Sequence, residues 1–353
     1  MKGYGIKKDG SLGFFDKNKP EAGPYEAIIK PLAVGVHSTE LYYALAKRVE
    51  GEHFIIGHEA VGVVDAVGVN VKDFKPGDRV LVPTITPNWR TLQMQDIGIA
   101  QHSGALMNGW VLSILEDGAL AEYFSVRDAD MNLALLPDEV SLEQAVIIAD
   151  KGSTGFHAVE LAGVEIGDTV VVLGLGAVGQ IAVAAALLRG AARVIGIGNG
   201  SKVVNETAKA YGATDLLNYK KDDVVKEVLR LTADKGADKV VIAGGDANSV
   251  GNAFKMVKIG GAIGSTNHYI AEQIAIPNAA FNEGLSHKRF NAGLTAGGRV
   301  RMERLLKLVQ YKRFDPAKIV THTYRGFEEL EKAISEVNAK PEGMLRAVVL
   351  FDS

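Results

Sequence analysis

The chain has 353 residues, 47% hydrophobic and 23% charged, a composition typical of soluble globular proteins with enough apolar residues to fill two domains. A net charge of -3 and the lack of a dense Lys/Arg cluster argue against a nucleic-acid partner. Cysteine is absent, which excludes disulfides and thiolate ligands, so any metal must be bound chiefly by nitrogen and oxygen. Residues 1–5, MKGYG, have no apolar signal-peptide core, so we expect a cytoplasmic protein.

The first part of the chain has the pattern of strands separated by turns. Apolar and β-branched residues at 25–36 and 60–70 predict two strands, and a Pro-Gly turn within 74–83 leads into another. Residues 84–117 follow no sustained period, which predicts a long irregular segment of the kind that often carries function. With a further strand expected at 118–126, this part is mostly β-structure.

A different pattern begins near residue 150. Ser141 and Gln144 predict a capping box for a helix at 141–149. Candidate strands and helices then alternate, as in a doubly wound parallel sheet. They lie at 169–173, 180–189, 193–197, 203–211, 215–217, 224–232, 239–243, 250–257 and 262–265.

The last part of the chain is expected to return to the β-rich domain. Glycines are dense at 293–298, and helices at 301–311 and 327–337 precede an apolar strand at 346–351. We therefore predict an α/β protein with a β-rich domain at 1–152 and 295–353. The dinucleotide-binding domain, with the doubly wound parallel sheet, is predicted at 153–294.

A glycine motif of the form G-x-G-x-x-G follows the predicted strand at 169–173. Gly174 permits a tight turn, Gly176 lets the backbone approach a pyrophosphate, and Gly179 lets the following helix pack on the strand. The N–H groups at the N-terminus of the following helix offer donors and a positive dipole end to phosphates, so Ala177 and Val178 of the motif are also assigned to the cofactor site. With a strand before it, an Ala-rich helix after it and a second strand at 193–197, the motif predicts a bound dinucleotide.

The same stretch has one alternative interpretation. From 169 to 188 only Thr169 and Gln180 are polar, which is long enough for a membrane span of about 20 residues. The glycines at a strand-to-helix junction and a basic flank of one residue, Arg189, favour a buried α/β core instead. We therefore expect no membrane contact.

The turn after the second strand indicates which dinucleotide binds. NAD-binding sheets commonly place a carboxylate there, about 20 residues past the glycines, to bond the ribose 2′-hydroxyl. This chain instead has no carboxylate in the turn and offers a hydroxyl and an ammonium that can accept a 2′-phosphate. Residues of the turn are Gly198, Asn199, Gly200, Ser201 and Lys202. The turn therefore favours NADP over NAD, the alternative being an ordinary loop with a solvated Lys202.

Several tracts together resemble a known family. Residues 57–62 (GHEAVG), 76–80 (PGDRV) and the glycine motif are similar to the medium-chain zinc-type alcohol dehydrogenases. Further tracts resemble the NADP-dependent secondary alcohol dehydrogenases, at 31–34, 86–91, 128–133, 154–157 and 297–304. The similarity runs nearly end to end. It implies a GroES-like catalytic domain, a Rossmann cofactor domain, and small secondary alcohols or ketones as substrates.

The resemblance also implies a metal site. In that family a catalytic zinc is held by a Cys, by the His and sometimes the Glu of the Gly-His-Glu motif, and by an Asp before the cofactor domain. The corresponding residues here are His37, His58, Glu59 and Asp150, so the Cys is replaced by His37. Two histidines and a carboxylate can hold zinc with an open position, although imidazole in place of thiolate weakens the preference over iron, manganese or cobalt. The alternative is that His37 only packs and no metal binds.

Other roles follow from the resemblance alone. Thr39 lies where a hydroxyl relays the proton, Tyr42 replaces a histidine near it, and Trp110 matches an aromatic residue of the substrate pocket. Tyr219 matches a contact at the adenosine phosphate, and Asn267 a contact near the nicotinamide. Each of Tyr42, Trp110, Tyr219 and Asn267 can also be an ordinary packing or strand-end residue. The family is often tetrameric, so we expect a homotetramer.

The sequence supports one leading hypothesis of function and two alternatives. The leading hypothesis is metal-assisted hydride transfer between small secondary alcohols or ketones and NADP. One alternative is a metal-free NADPH-dependent enone or quinone reductase of the same fold. The other is an NADPH-binding protein without catalysis, against which the presence of Thr39, His58 and Asp150 argues.

Overall fold

A computed structural model describes residues 1–37, 51–92, 112–269, 271–339 and 341–351. The chain forms two compact units, one from Met1–Ser153 with Ala296–Ser353 and the other from Thr154–Thr295. No helix of the described ranges combines the length and the hydropathy that a membrane crossing requires. The apolar run at 169–188 is divided between a strand and a helix of 12 residues.

The first unit consists mainly of strands and has helices just before the second unit begins. Its strands before the second unit are β1 Lys2–Ile6, β2 Leu12–Asp16, β3 Ala27–Val36, β4 Phe54–Ile55, β5 Ala60–Val67, β6 Arg79–Val82, β7 Phe124–Val126 and β8 Ala134–Leu135. A short helix, α1 Ala129–Asn132, lies between β7 and β8, whereas α2 Leu142–Ile147 and then a π-helical turn Ile148–Gly152 follow β8. The predicted capping box of Ser141 and Gln144 is present at the start of α2. The helix predicted to begin around 141–149 is present, and it continues into the π-helical turn.

The second unit alternates strands and helices. It contains α3 Ser153–Ala162, which begins at the boundary, and β9 Thr169–Leu173, α4 Ala177–Leu188, β10 Arg193–Gly198, α5 Lys202–Ala210, β11 Asp215–Asn218, α6 Val224–Leu231, β12 Ala237–Ile242, α7 Asn248–Met256, β13 Val257–Ser265, α8 Asn278–Phe281, a 3-10 turn Asn282–Gly284 and β14 Arg289–Ala292. All pairings in the sheet are parallel, in the order β11-β10-β9-β12-β13-β14. The predicted doubly wound parallel sheet is confirmed.

The chain then completes the first unit. Its last elements are α9 Arg299–Gln310, a 3-10 turn Pro316–Ile319, β15 Val320–Arg325, a 3-10 turn Phe327–Glu329, α10 Leu330–Ala339 and β16 Arg346–Leu350. Strand β16 pairs with β3, so the chain end joins the seven-stranded sheet β15-β16-β3-β5-β6-β8, in which β7 also pairs with β3. A three-stranded sheet, β2-β1-β4, lies in the same unit. Residues Arg346–Leu350 therefore belong to the sheet of the first unit.

Each unit has its own apolar core. The core of the first unit gathers inward residues of β3, β5 and β6, among them Val34, Ala60 and Val80. The core of the second gathers residues of the central parallel strands, among them Val171 and Val240. Strand β9 lies in the middle of its sheet, which explains why its residues 170–173 are apolar without alternation.

Candidate metal centre and cofactor turn

The pairing of β3 with β5 brings three candidate ligands to one end of a sheet. The two strands are antiparallel with Val34 opposite Ala60, and the N–H of Gly35 donates to the carbonyl oxygen of Glu59 at 3.1 Å. His37 follows directly after the end of β3, whereas His58 and Glu59 directly precede the start of β5. The antiparallel register therefore places residues separated by about 20 positions in sequence side by side.

The fourth candidate ligand comes from a helix. Asp150 lies in the π-helical turn that follows α2, and Thr84 donates its N–H to the carbonyl oxygen of Ala149 at 3.1 Å. Such turns often occur at functional sites because the extra residue redirects the side chains that follow. Here the turn carries Asp150 into the group formed by the strand ends.

One ligand atom from each of the four residues lies within 4.8 Å of the other three. The Nε2 atom of His37 is 3.0 Å from Nε2 of His58 and 3.2 Å from Oε1 of Glu59. The Oδ2 atom of Asp150 is 3.9 Å from His37 Nε2 and 3.8 Å from His58 Nε2. His58, Glu59 and Asp150 are buried, so this is a converging group and not a solvated acidic surface.

Two cationic side chains border the group. The Nζ atom of Lys151 lies 3.0 Å from Oε1 of Glu59 and also hydrogen-bonds to Oδ2 of Asp150. The guanidinium of Arg346 hydrogen-bonds to Oε2 of Glu59 and donates to the carbonyl oxygen of Val36 at 2.9 Å. Each carboxylate is thus compensated, as a buried charge requires.

These neighbours set the protonation of the ligands. Burial lowers the pKa of His37 well below its usual range, and the nearby ammonium of Lys151 lowers it further. Burial raises the pKa of Glu59, but the charges of Arg346 and Lys151 outweigh burial and hold it far below its usual value. Burial also raises the pKa of Asp150, again outweighed, chiefly by Lys151, so that the net shift is downward. At neutral pH the group therefore presents a neutral imidazole and two carboxylates, the forms that bind metals.

The donor set fits a divalent metal ion. Two imidazole nitrogens and up to two carboxylate oxygens are ligands that zinc accepts, in a buried group small enough to surround one ion. His37, His58 and Asp150 can hold the ion, and Glu59 is an additional carboxylate in reach. No sulfur ligand is present, so the choice of metal depends on nitrogen and oxygen donors.

The glycine motif forms the turn between β9 and α4 in the second unit. Gly174 has a φ of 91°, a conformation that other residues rarely adopt, and a Cβ built on Gly179 would lie 1.7 Å from the carbonyl oxygen of Gly174. A Cβ on Gly176 would meet no protein atom within 4 Å. Gly176 is the N-cap of α4, whose first turn contains Ala177 and Val178. Two glycines are therefore required by the fold, whereas the third borders open space at a helix N-terminus.

The turn after β10 lies beside the end of the neighbouring strand. Ser201 is the N-cap of α5 and donates its N–H to Oδ1 of Asn199 at 3.0 Å. The N–H of Tyr219, just after β11, donates to the carbonyl oxygen of Gly198 at 3.1 Å. The Lys202 side chain is 88% exposed and lies 3.8 Å from Glu206, the next turn of the helix. The predicted NADP residues Gly198, Asn199, Ser201, Lys202 and Tyr219 thus lie close together in one unit.

The last predicted cofactor residue follows β13. The N–H of Asn267 donates to Oγ of Ser265 at 3.2 Å, and its side-chain amide lies 3.4 Å from the carbonyl oxygen of Gly245, which follows β12. In a parallel sheet the carboxyl ends of the strands share one edge, so Asn267 lies on the same edge as the glycine turn. This is the edge where doubly wound sheets bind their ligands.

Some residues fall outside these groups. Thr39, Tyr42 and Trp110 lie outside the described residues, so their predicted roles stay predictions. Sequence reasoning missed Lys151 and Arg346, which contact the ligand carboxylates directly. The signal for Lys151 is its position beside Asp150 in an otherwise apolar helix end. The signal for Arg346 is a lone charge at the start of an apolar strand.

Comparisons with known proteins agree with this architecture. Residues 23–138 match the family described as "Alcohol dehydrogenase GroES-like domain", and residues 177–308 match "Zinc-binding dehydrogenase". The chain is 48% identical over 353 residues to the NADP-dependent isopropanol dehydrogenase of Thermoanaerobacter brockii, covering 99% of this chain and 100% of the relative. The enzyme of the same name from Clostridium beijerinckii is 46% identical, with the same coverage.

Solved structures show the same fold. Alcohol dehydrogenase TADH from Thermus sp. ATN1 superimposes with a TM-score of 0.87 at 25% identity, covering 100% of both chains. Zinc-dependent alcohol dehydrogenase 2 of Streptococcus pneumoniae gives a TM-score of 0.87 at 26% identity, covering 100% of this chain and 99% of that one. The predicted fold class, a GroES-like β-rich part with a doubly wound parallel sheet, is confirmed.

Proposed function

The chain belongs to the medium-chain, zinc-binding alcohol dehydrogenase family, and from that premise we propose that it interconverts small secondary alcohols and ketones with NADP. The observation that carries the proposal is that, in a chain of this family, the candidate ligand atoms of the metal group (His37, His58, Glu59 and Asp150) lie within 4.8 Å of one another. The relatives from T. brockii and C. beijerinckii are named isopropanol dehydrogenases, which supports a secondary alcohol as substrate.

The residues of the metal group have distinct tasks in this proposal. A metal held here would supply Lewis-acid polarisation of the substrate oxygen, and NADP would supply the hydride chemistry. His37, His58 and Asp150 hold the metal, and the lowered pKa values of His37 and Asp150 leave these two ligands without a proton to lose at neutral pH. Arg346 fixes Glu59 by its Oε2 atom and leaves Oε1 directed toward His37.

Residues of the second unit are assigned to the cofactor in this proposal. The backbone of Gly174–Gly179 binds the pyrophosphate at the start of α4, and Ser201 and Lys202 bind the 2′-phosphate. Asn267 contacts the nicotinamide part of the cofactor and Tyr219 the adenosine phosphate end, as the resemblance implies. We propose Thr39 as the proton relay, with Tyr42 and Trp110 in the substrate pocket, on the basis of the resemblance alone. A cytoplasmic homotetramer is proposed on the same basis, and light scattering tests the number of chains per particle.

Substrate assays test the proposed reaction. We expect the purified protein to oxidise 2-propanol with NADP⁺ and to reduce acetone with NADPH, followed by absorbance at the nicotinamide band. Turnover of enones or quinones without turnover of 2-propanol would instead indicate the metal-free reductase. Tight NADPH binding without turnover of any carbonyl compound would indicate a protein without catalysis.

The preference for NADP is tested by Asn199→Asp. The substitution keeps an oxygen that can accept from Ser201 N–H and adds only a negative charge beside the proposed 2′-phosphate site. We expect the ratio of kcat/KM for NADP⁺ to that for NAD⁺ to fall by about 100-fold, since like charges placed side by side cost several kcal/mol. Steady-state kinetics with both cofactors measures the ratio.

The control is Asn278→Asp, at the exposed first position of α8 between β13 and β14 of the same unit, strands that lie at the other end of the sheet order from β10 and β11. It is expected to leave the ratio unchanged. An unchanged ratio in Asn199→Asp as well would show that the 2′-phosphate binds elsewhere.

A further inference from the structure

Lys151 is a charged residue that the proposed reaction does not use. Its side chain is only 12% exposed, although lysine is almost never buried without a specific partner. Its Nζ atom has two such partners, Oε1 of Glu59 at 3.0 Å and Oδ2 of Asp150. The residue lies in the π-helical turn, immediately after Asp150.

The two oxygens that Lys151 contacts are those that face the histidines. Oε1 of Glu59 is the atom 3.2 Å from His37 Nε2, and Oδ2 of Asp150 lies within 4 Å of both imidazoles. The ammonium and a metal ion held by this group would therefore share the same carboxylate oxygens. Two cations at such short range repel each other strongly in a buried setting.

Arg346 differs from Lys151 in this respect. It hydrogen-bonds to Oε2, the other oxygen of Glu59, and a second bond to the carbonyl oxygen of Val36 fixes its position. The guanidinium of Arg346 is planar and rigid, whereas the ammonium of Lys151 ends a chain of four flexible methylenes. The ammonium can therefore move aside. Arg346 thus orients the carboxylate of Glu59, whereas Lys151 contacts the carboxylate oxygens that would bind a metal.

We propose that Lys151 is an internal competitor of the divalent metal. In the metal-free protein its ammonium neutralises Glu59 and Asp150 and keeps the ligands together. Metal binding has to displace this ammonium from the carboxylate oxygens, so the metal is held more weakly and exchanges more readily than the ligand set alone would give. The inference rests on the proposed metal site of His37, His58 and Asp150.

Zinc affinity tests the inference directly. The full-length protein is stripped with a chelator, and Zn²⁺ is titrated in competition with a chromophoric chelator. We expect Lys151→Gln, which keeps a hydrogen-bond donor and loses the charge, to bind Zn²⁺ about tenfold or more tightly than the unchanged protein. Lys151→Met is expected to do the same, and Lys151→Arg, which keeps the charge, to show no gain.

A matched control removes another lysine of the same unit. Lys19 pairs with Asp65 at 2.6 Å, and neither residue belongs to the metal group. Lys19→Gln is expected to leave zinc affinity unchanged. Thermal unfolding gives a second readout, because a ligand that binds only the folded state raises Tm by an amount that grows with the logarithm of its affinity. The zinc-induced rise in Tm should be larger in Lys151→Gln than in the unchanged protein.

The outcomes separate two failures. If the unchanged protein and Lys151→Gln bind Zn²⁺ with equal affinity, the role of Lys151 is overturned and the metal site stands. If neither the unchanged protein nor any variant binds Zn²⁺, the metal site and the inference are both overturned.

Discussion

Replacing His58 with alanine is expected to abolish most of the activity. The side chain is buried, and its Nε2 atom lies 3.0 Å from that of His37. Among the described residues His37 and His58 are the histidines of this group, so no further histidine can replace His58 there. We expect kcat/KM for 2-propanol to fall by roughly 10³-fold or more, since Lewis-acid polarisation by a metal contributes several kcal/mol to the transition state. Metal content after dialysis, measured by mass spectrometry, should fall together with the rate.

The control for this substitution is His322→Ala. His322 lies in β15 of the same unit, hydrogen-bonds to Thr321 at 3.0 Å and belongs to no metal-ligating group of the described residues. It should retain both metal and activity. Full activity in His58→Ala would contradict a metal-assisted reaction and would favour the metal-free reductase.

The second large effect concerns the glycine turn, where two neighbouring substitutions should separate stability from cofactor binding. In Gly179→Ala the new Cβ would lie 1.7 Å from the carbonyl oxygen of Gly174, a rigid backbone atom. We expect a loss of at least about 2 kcal/mol in the free energy of unfolding, because overpacking typically costs about 1–3 kcal/mol. Urea denaturation followed by circular dichroism measures the loss.

Gly176→Ala is expected to act differently. The new Cβ meets no protein atom within 4 Å, and the backbone there is extended at a φ of -70°, which alanine adopts without strain. Stability should stay within about 0.5 kcal/mol of the unchanged protein, as for ordinary surface substitutions. The dissociation constant of NADPH should rise by about tenfold or more, because hydrogen bonds to charged groups contribute about 1.5–3 kcal/mol each.

Comparison of the two variants gives the clearest result. Titration of NADPH by fluorescence on both proteins separates a damaged fold from a blocked phosphate site. If Gly176→Ala binds NADPH as tightly as the unchanged protein, the pyrophosphate does not lie against this turn.

The parallel sheet and the glycine turn could be predicted from sequence because their signals are local. A strand that is buried on both faces has a continuous apolar run, and a turn at φ 91° leaves room for little but glycine at 174. Elements with weaker local signals were missed. Strand β1 contains two glycines. Strand β14 is a four-residue edge strand in which Phe290 is half-buried and the other three residues are exposed.

The ligand set could be proposed because His58 and Glu59 belong to a recognisable motif, with His37 and Asp150 found through the resemblance. The contacts of Lys151 and Arg346 with these carboxylates could not be predicted. Arg346 is separated from Glu59 by 287 positions, and only the pairing of β16 with β3 brings it there. The contact of Lys151 with Glu59 depends in turn on the π-helical turn, whose extra residue per turn leaves no pattern in the sequence.

The measurement that tests the central claim most directly is a metal titration of the stripped protein. Zn²⁺ is added stepwise to chelator-treated protein, and bound metal and the rate of 2-propanol oxidation with NADP⁺ are measured on the same samples. The single ligand group of the described residues predicts that the rate rises in proportion to bound zinc and levels off at one ion per chain. Full activity in the stripped protein, with no change on adding zinc, would contradict the role given to His37, His58 and Asp150.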